Sequence, residues 1–186
     1  MFIKRLGDFL LDILEVFVTS FAIFLFVYLL VLQPHKIKGN SMEPNFHNGQ
    51  YLLTDKLSYR FKVPQRGDVV VFKPPVSEDD EYIKRIIGIP GDTISIKDGK
   101  YLINGAVLNE DYIPDATKTR GKSFLTENSE KVVPEASYFV SGDNRDQSSD
   151  SRYWGFISKD KITGKAWLIY WPPNSVGIIK RGIFNL

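Results

Sequence analysis

Apolar residues near the N-terminus, Phe2, Leu6, Phe9, Leu10, Ile13, Leu14 and Phe17, recur at helical spacing, while Lys4, Arg5, Asp8, Asp12 and Glu15 fall largely on the other side. From Val16 to Leu32 the chain then carries no charge. At about 1.5 Å per residue that run spans roughly 25 Å, a little short of a bilayer core of about 30 Å, so flanking residues must complete a crossing. The pattern predicts one helix that starts amphipathic at an interface and then enters lipid. Asp12 and Glu15 then belong near the headgroups, because a charge at the midplane costs about 2.5–3.5 kcal/mol. A buried helix of a globular core is the alternative. The run Val27-Tyr28-Leu29-Leu30-Val31-Leu32-Gln33-Pro34 offers no small-x-small site, which argues against a cleavable leader. Lys4 and Arg5 favour an inside N-terminus, a bias that Lys36 and Lys38 weaken. The expectation is a single-pass anchor over residues 1–34 in the cell membrane, with residues 35–186 on its outer face.

After the anchor the period changes to that of strands. Gln50–Leu53, Asp68–Phe72, Tyr82–Ile89, Thr93–Ile96, Tyr101–Ile103, Ser137–Val140 and Ala166–Tyr170 are short runs rich in β-formers. Asp98-Gly99 and Asn104-Gly105 separate such runs and predict hairpins, since type I′ turns need positive φ at both central residues. Residues 115–134 are polar, without clear period, and read as a long excursion or small subdomain. No amphipathic helix is evident after the anchor, so the soluble part is expected to be all β.

Composition narrows the function classes. A net charge of +2, with acids and bases interleaved along the chain, argues against a nucleic-acid binder. The absence of cysteine removes thiol catalysis, disulfide scaffolds and thiolate zinc sites. With only His35 and His47 present, multi-histidine metal sites are poorly supported.

Three runs carry candidate chemistry. In Lys38-Gly39-Asn40-Ser41-Met42-Glu43-Pro44, small and rigid residues flank one serine, suiting a nucleophile at a cleft edge with a backbone N–H aimed at an oxyanion. Taken alone, Gly-Asn-Ser is equally ordinary turn chemistry. In Tyr82-Ile83-Lys84-Arg85, side chains alternate, so Lys84 can be enclosed while Arg85 stays solvated. A lysine serves as base only if kept unprotonated. At its ordinary pKa, roughly one in 2,500 is neutral at pH 7, and burial lowers that pKa. The third run, Ser141 to Gly155, fails as a calcium loop, because Ser151 and Ile157 stand where Gly and Glu are needed. It reads instead as a solvated polar loop, or as a self-bonded one that holds the lysine by a hydroxyl, with Asp150 and Arg152 paired.

Together Lys38–Pro44, Gly67–Phe72, Tyr82–Gly88 and Gly142–Gly155, in that order, resemble bacterial type I signal peptidase, in its compact single-anchor form. The resemblance implies a mainly β fold: an antiparallel β catalytic domain with a smaller inserted β region over about 93–137. It implies cleavage of signal peptides from exported preproteins after a small residue, with Ser41 as nucleophile and Lys84 as general base. Ser148 would orient the lysine amine. Ile37, Met42, Phe46, Tyr82 and Ile83 would line the substrate pocket, and Gly39, Asp143, Asp150 and Arg152 would shape the site. Many relatives have a serine hydroxyl in the oxyanion hole where this chain has Gly39, which leaves the Ser41 amide as the better-supported donor. The implied partners are preprotein signal peptides and membrane lipid, with no nucleic acid, no metal, no cofactor, and a monomeric state.

Two other readings compete. A membrane-tethered β module could bind peptides without cutting. Alternatively His47, six residues after Ser41, could replace lysine as the base.

Overall fold

The computed structural model describes residues 2–77 and 79–184, without the side chains at 2–4 and 29. Lys4, one of the two residues that orient the anchor in the sequence, therefore has its side chain outside the described residues, as does Phe2. Helix α1 (Phe2–Leu30) is continuous, and its stretch Arg5–Tyr28 is long and apolar enough to cross a membrane. Every described side chain from Arg5 to Leu30 is exposed, so α1 is not a core helix. The helix ends before the apolar run does. Strand β1 (Leu32–Lys36) starts at once and pairs antiparallel with β2 (Tyr51–Asp55). Leu32 merges with the anchor in the sequence and Pro34 reads as a breaker, which hid this strand. Pro34 is tolerated because β1 lies at the sheet edge, where a missing N–H costs no ladder bond.

A one-turn helix α2 (Ser58–Phe61) leads to β3 (Val69–Phe72) and β4 (Tyr82–Gly88), which pair antiparallel with Lys84 opposite Val70. The chain then leaves this sheet. It builds β5 (Thr93–Lys97), β6 (Lys100–Ile103), β7 (Ala106–Val107) and β8 (Glu130–Val132) into a second sheet of order β7-β6-β5-β8. It returns as β9 (Ser137–Ser141), which pairs with β4. After the one-turn helix α3 (Ser151–Trp154) come β10 (Ile157–Ser158), β11 (Ile162–Trp171) and β12 (Gly177–Ile178). The first sheet has the order β1-β2-β11-β3-β4-β9-β10, with β12 alongside β11. Every strand pairing is antiparallel. The fold is thus mainly antiparallel β behind one apolar helix. The two one-turn helices were invisible to periodicity, which needs several turns to register.

Both predicted hairpin turns form. Asp98 and Gly99 have φ of 52° and 78°, and Asn104 and Gly105 have 53° and 84°, the doubly positive geometry that selected these residues. The uninterrupted Val69-Val70-Val71-Phe72 run is buried on both faces. Val69 and Val71 join Ile37, Met42, Phe46 and Leu52 on one side, while Val70 and Phe72 join Ile86, Tyr138 and Val140 on the other. Each such side chain contributes about 1.5–3 kcal/mol by leaving water. A third cluster, including Ile87, Ile94, Ile96, Tyr101, Leu125 and Phe139, joins the second sheet to the first. The polar excursion is therefore anchored, not loose. Leu125 is buried in that cluster, and the Thr119 N–H donates to the Gly99 carbonyl at 2.7 Å.

Candidate active site

The loop between β1 and β2 presents Ser41. Its base is closed by Ile37 N–H to the Gln50 carbonyl (2.8 Å) and Gly49 N–H to the Ile37 carbonyl (2.9 Å). Gly39 has φ of 85°, a region that side-chain-bearing residues avoid, and its N–H donates to Asn48 Oδ1 at 3.0 Å. The Ser41 carbonyl accepts from Asn144 N–H at 3.0 Å, which ties this loop to the segment after β9. Gly39 thus shapes the turn, and its own N–H is already engaged.

Strand β4 brings Lys84 to this loop. Its Nζ lies 2.7 Å from Ser41 Oγ and 2.9 Å from the Ile83 carbonyl, with the Tyr82 ring centroid 5.3 Å away. The side chain is 4% exposed. Burial lowers its pKa from 10.5 to about 8, against the opposing pull of Asp150 and Asp143. Arg85, expected in solvent, is buried as well. The reason is a partner: Arg85 Nε and Nη2 bond Asp143 Oδ1 and Oδ2 at 2.9 and 2.8 Å, and loops close over the face of β4 that faces away from Lys84. A bidentate, hydrogen-bonded pair offsets the cost of burying both charges.

The segment after β9 is self-bonded. Asp150, fully enclosed, accepts from Arg152 Nε (2.8 Å) and Nη2 (2.9 Å), from Ser141 Oγ (3.1 Å) and from Gly142 N–H (3.1 Å). Burial pushes its pKa up, and the bonds and charge of Arg152 more than offset this, leaving it below the usual carboxylate value. Gly142 is needed for space. A Cβ there would stand 2.3 Å from both Ser148 Oγ and the Ser41 carbonyl oxygen. The expected contact from Ser148 to the lysine amine does not form. Its hydroxyl packs against Gly142 and is enclosed without a well-formed hydrogen bond, although it favours the ionised form of Asp150. The amine is held by Ser41 and the Ile83 carbonyl instead.

A cleft of about 730 Å³ runs out from the Ser41–Lys84 pair, lined among others by Ile37, Leu52, Val71, Tyr82 and Ile83. Met42 and Phe46 lie behind this surface. Both are buried in the cluster under the loop, and neither lines the cleft. His35 and Glu81 also line the cleft and pair at 3.2 Å. His47 is exposed and faces Glu43 at 3.8 Å.

Several residues that hold the site were missed by sequence reasoning. Asn45 Nδ2 donates to Asp143 Oδ2 (2.8 Å), and Arg145 Nε donates to the Gly142 carbonyl (2.9 Å) while its guanidinium pairs with Glu110. The one available signal was a density of Asn, Asp and Arg in two loops too polar for ordinary packing. Apart from Gly142, three residues before Arg145, their partners lie 35 and 98 residues away, beyond any local pattern.

Known proteins place this arrangement in context. The model of the family "Signal peptidase, peptidase S26" matches residues 10–171. A protein named probable signal peptidase I-2 from Synechocystis sp. is 36% identical over 91% of this chain and 77% of its own length. Signal peptidase IB of Staphylococcus aureus is 32% identical over 91% of each. A crystal structure of a signal peptidase I from Enterococcus faecalis aligns with 56% of this chain and 97% of that one at 32% identity, with a TM-score of 0.45. The family match covers α1 from residue 10, the serine loop, the lysine strand and the self-bonded segment, and the chain belongs to the signal peptidase family, peptidase S26.

Proposed function

We propose that this chain is a membrane-tethered serine endopeptidase that removes signal peptides from exported preproteins after a small residue, with Ser41 as nucleophile and Lys84 as general base. The observation that carries the reading is the 2.7 Å approach of a buried, pKa-lowered lysine amine to a serine hydroxyl at the floor of an open cleft. A neutral amine donates one N–H to the Ile83 carbonyl and keeps its lone pair for the Ser41 hydroxyl. Ser41 Oγ then attacks the scissile carbonyl as Lys84 takes the proton. The Ser41 N–H is the donor for the oxyanion. On collapse, Lys84 returns the proton to the leaving amine, which departs as the mature N-terminus. Water, deprotonated by Lys84, next opens the acyl-enzyme and frees the signal peptide. Ile37, Tyr82 and Ile83 form the wall against which a small side chain before the cut is placed. Gly39, Asp143, Asp150 and Arg152 keep the loops in register.

The same reading assigns residues 1–34 to the tether and 35–186 to the catalytic domain, with about 93–137 as its insertion. Trp167, Tyr170 and Trp171 are exposed, and Val31, Leu32, Leu57, Phe61 and Trp167 line an apolar groove at the foot of α1. That placement supports a catalytic domain resting at the lipid interface, where aromatic rings are favoured. The test is cleavage of a preprotein with a small-x-small site, followed by mass of the products. Wild type releases the mature chain, and Ser41→Ala and Lys84→Ala each lose at least about a thousandfold while keeping their thermal transition. Normal turnover by either variant refutes the dyad.

A further inference from the structure

We infer that Tyr112, from the excursion between the two outer strands of the second sheet, is a positioning residue of the Ser41–Lys84 dyad, acting through Asp143. The inference rests on the dyad reading above. Among the described residues the side chains of Asn45 and Arg85 bond Asp143, and Tyr112 contacts both. Its carbonyl accepts from Asn45 Nδ2 at 2.7 Å, and its ring lies flat under the Arg85 guanidinium at 3.9 Å. Asn45 and Arg85 in turn bond Asp143, and they sit four residues after Ser41 and one after Lys84. The Tyr112 hydroxyl bonds Glu110 and accepts from Arg145 Nη2 at 3.2 Å, and Arg145 grips the carbonyl of Gly142, the neighbour of Asp143.

The C-terminal segment locks the ring in place. Phe184 meets it edge-on at 5.7 Å, and a Cβ at Gly182 would stand 2.8 Å from it. Gly182 N–H donates to the Gly67 carbonyl (3.2 Å), which also accepts from Arg85 Nη1 (3.1 Å). Tyr112 therefore reaches the nucleophile loop through its backbone carbonyl, and the lysine strand, the self-bonded segment and the C-terminal segment through its side chain.

The chemical consequence follows from charge. Two carboxylates face Lys84, Asp143 and Asp150, and both favour its ammonium. Arg85 from the lysine's own strand covers the first, and Arg152 from α3 covers the second. Glu110, the other acid packed here, is held by Arg145. The amine's other described neighbours are uncharged: Ser41 Oγ, the Ile83 carbonyl and the Tyr82 ring. Without the Tyr112 ring, Arg85 loses its platform and its hold on Asp143, and the freed carboxylate charge pulls Lys84 toward the protonated, inactive form.

The experiment is the pH profile of kcat and KM for the full chain in detergent with one preprotein, comparing wild type, Tyr112→Phe, Tyr112→Leu and Phe184→Ala. Tyr112→Leu moves the acidic limb up by about one pH unit, so kcat/KM falls about tenfold at pH 7 and recovers near pH 9, with KM within about twofold. Tyr112→Phe, which keeps the ring under Arg85, leaves the limb where wild type has it. A Tyr112→Leu limb that does not move, an equal loss at every pH, or an equal shift in Tyr112→Phe overturns the inference. Should Tyr112→Leu lack a folding transition, Phe184→Ala decides: a smaller upward shift supports the positioning role, and an unmoved limb overturns it. A wild type without an acidic limb sinks the dyad reading and this inference together.

Discussion

The burial that lowers the pKa of Lys84, and on the proposed reading suits it to act as a base, destabilises the fold. Lowering its pKa from 10.5 to about 8 means that the buried ammonium costs roughly 3 kcal/mol relative to the unfolded chain. Below about pH 8 both states are protonated and the folded state bears the whole cost. Between pH 8 and 10.5 the folded lysine is neutral while the unfolded one still binds a proton, and the cost fades as pH rises. Lys84→Met removes the charge and fills the same slot, at the loss of the contacts to Ser41 and Ile83. The variant is expected to be more stable than wild type at pH 7, by about 1–3 kcal/mol, with an advantage that shrinks as pH approaches 10.5, and on the dyad reading it is inactive. Denaturant unfolding in detergent at pH 7 and 10 measures this, and a variant less stable than wild type at pH 7 contradicts it. Asp150 runs the other way. Arg152 holds it ionised, so that pair contributes stability above the ordinary carboxylate pKa and loses it as pH falls through the lowered value.

At the scale of elements, the decisive contact is the seam between the serine loop and the start of the self-bonded segment. Asn144 N–H bonds the Ser41 carbonyl there, and Gly142 leaves no room for a methyl group. Gly142→Ala forces either the Ser148 side chain or the Ser41 backbone to move. Because one of the two obstacles is backbone, the prediction is a loss of about a hundredfold or more in kcat with a smaller change in KM. Steady-state kinetics on the folded variant check this, and near-normal kcat would show that the seam can yield.

Much of this level was legible in advance. The hairpin dipeptides at 98–99 and 104–105, the doubly buried Val69–Phe72 run and the serine and lysine segments all announce themselves through local chemistry. Strand β1 did not, since Leu32 blends into the anchor and Pro34 resembles a stop. Arg85 was misplaced because alternation says which side a residue faces but not whether that side is covered. Ser148, Met42 and Phe46 lie near the site in positions that no spacing rule specifies, and the Asn45–Asp143–Tyr112 cluster exists only through long-range contacts.

On the scale of the whole molecule, α1 ends where the sheet begins: Leu30 closes the helix and Leu32 opens β1, whose far end leads into the serine loop. Helix α1 and the cleft are therefore joined by one strand with no intervening linker, and the apolar groove beside Trp167 lies at that joint. On the proposed reading α1 acts as a tether by effective concentration, confining enzyme and substrate to one bilayer. Removing residues 1–30 is accordingly expected to leave kcat/KM on a short soluble peptide within about threefold, and to lower cleavage of a vesicle-inserted preprotein by a factor of about 100 or more. Equal losses on both substrates would mean that α1 supports the fold or the site directly.

The central claim is that a neutral Lys84 is the base for Ser41. Its most direct test is the single-turnover rate of preprotein cleavage from pH 6 to 10, with wild type and Lys84→Ala side by side. The dyad predicts a wild-type rate that rises about tenfold per pH unit and levels off near pH 8, together with a variant inactive throughout. A wild-type rate independent of pH over that range, or a Lys84→Ala protein that still cleaves, contradicts it.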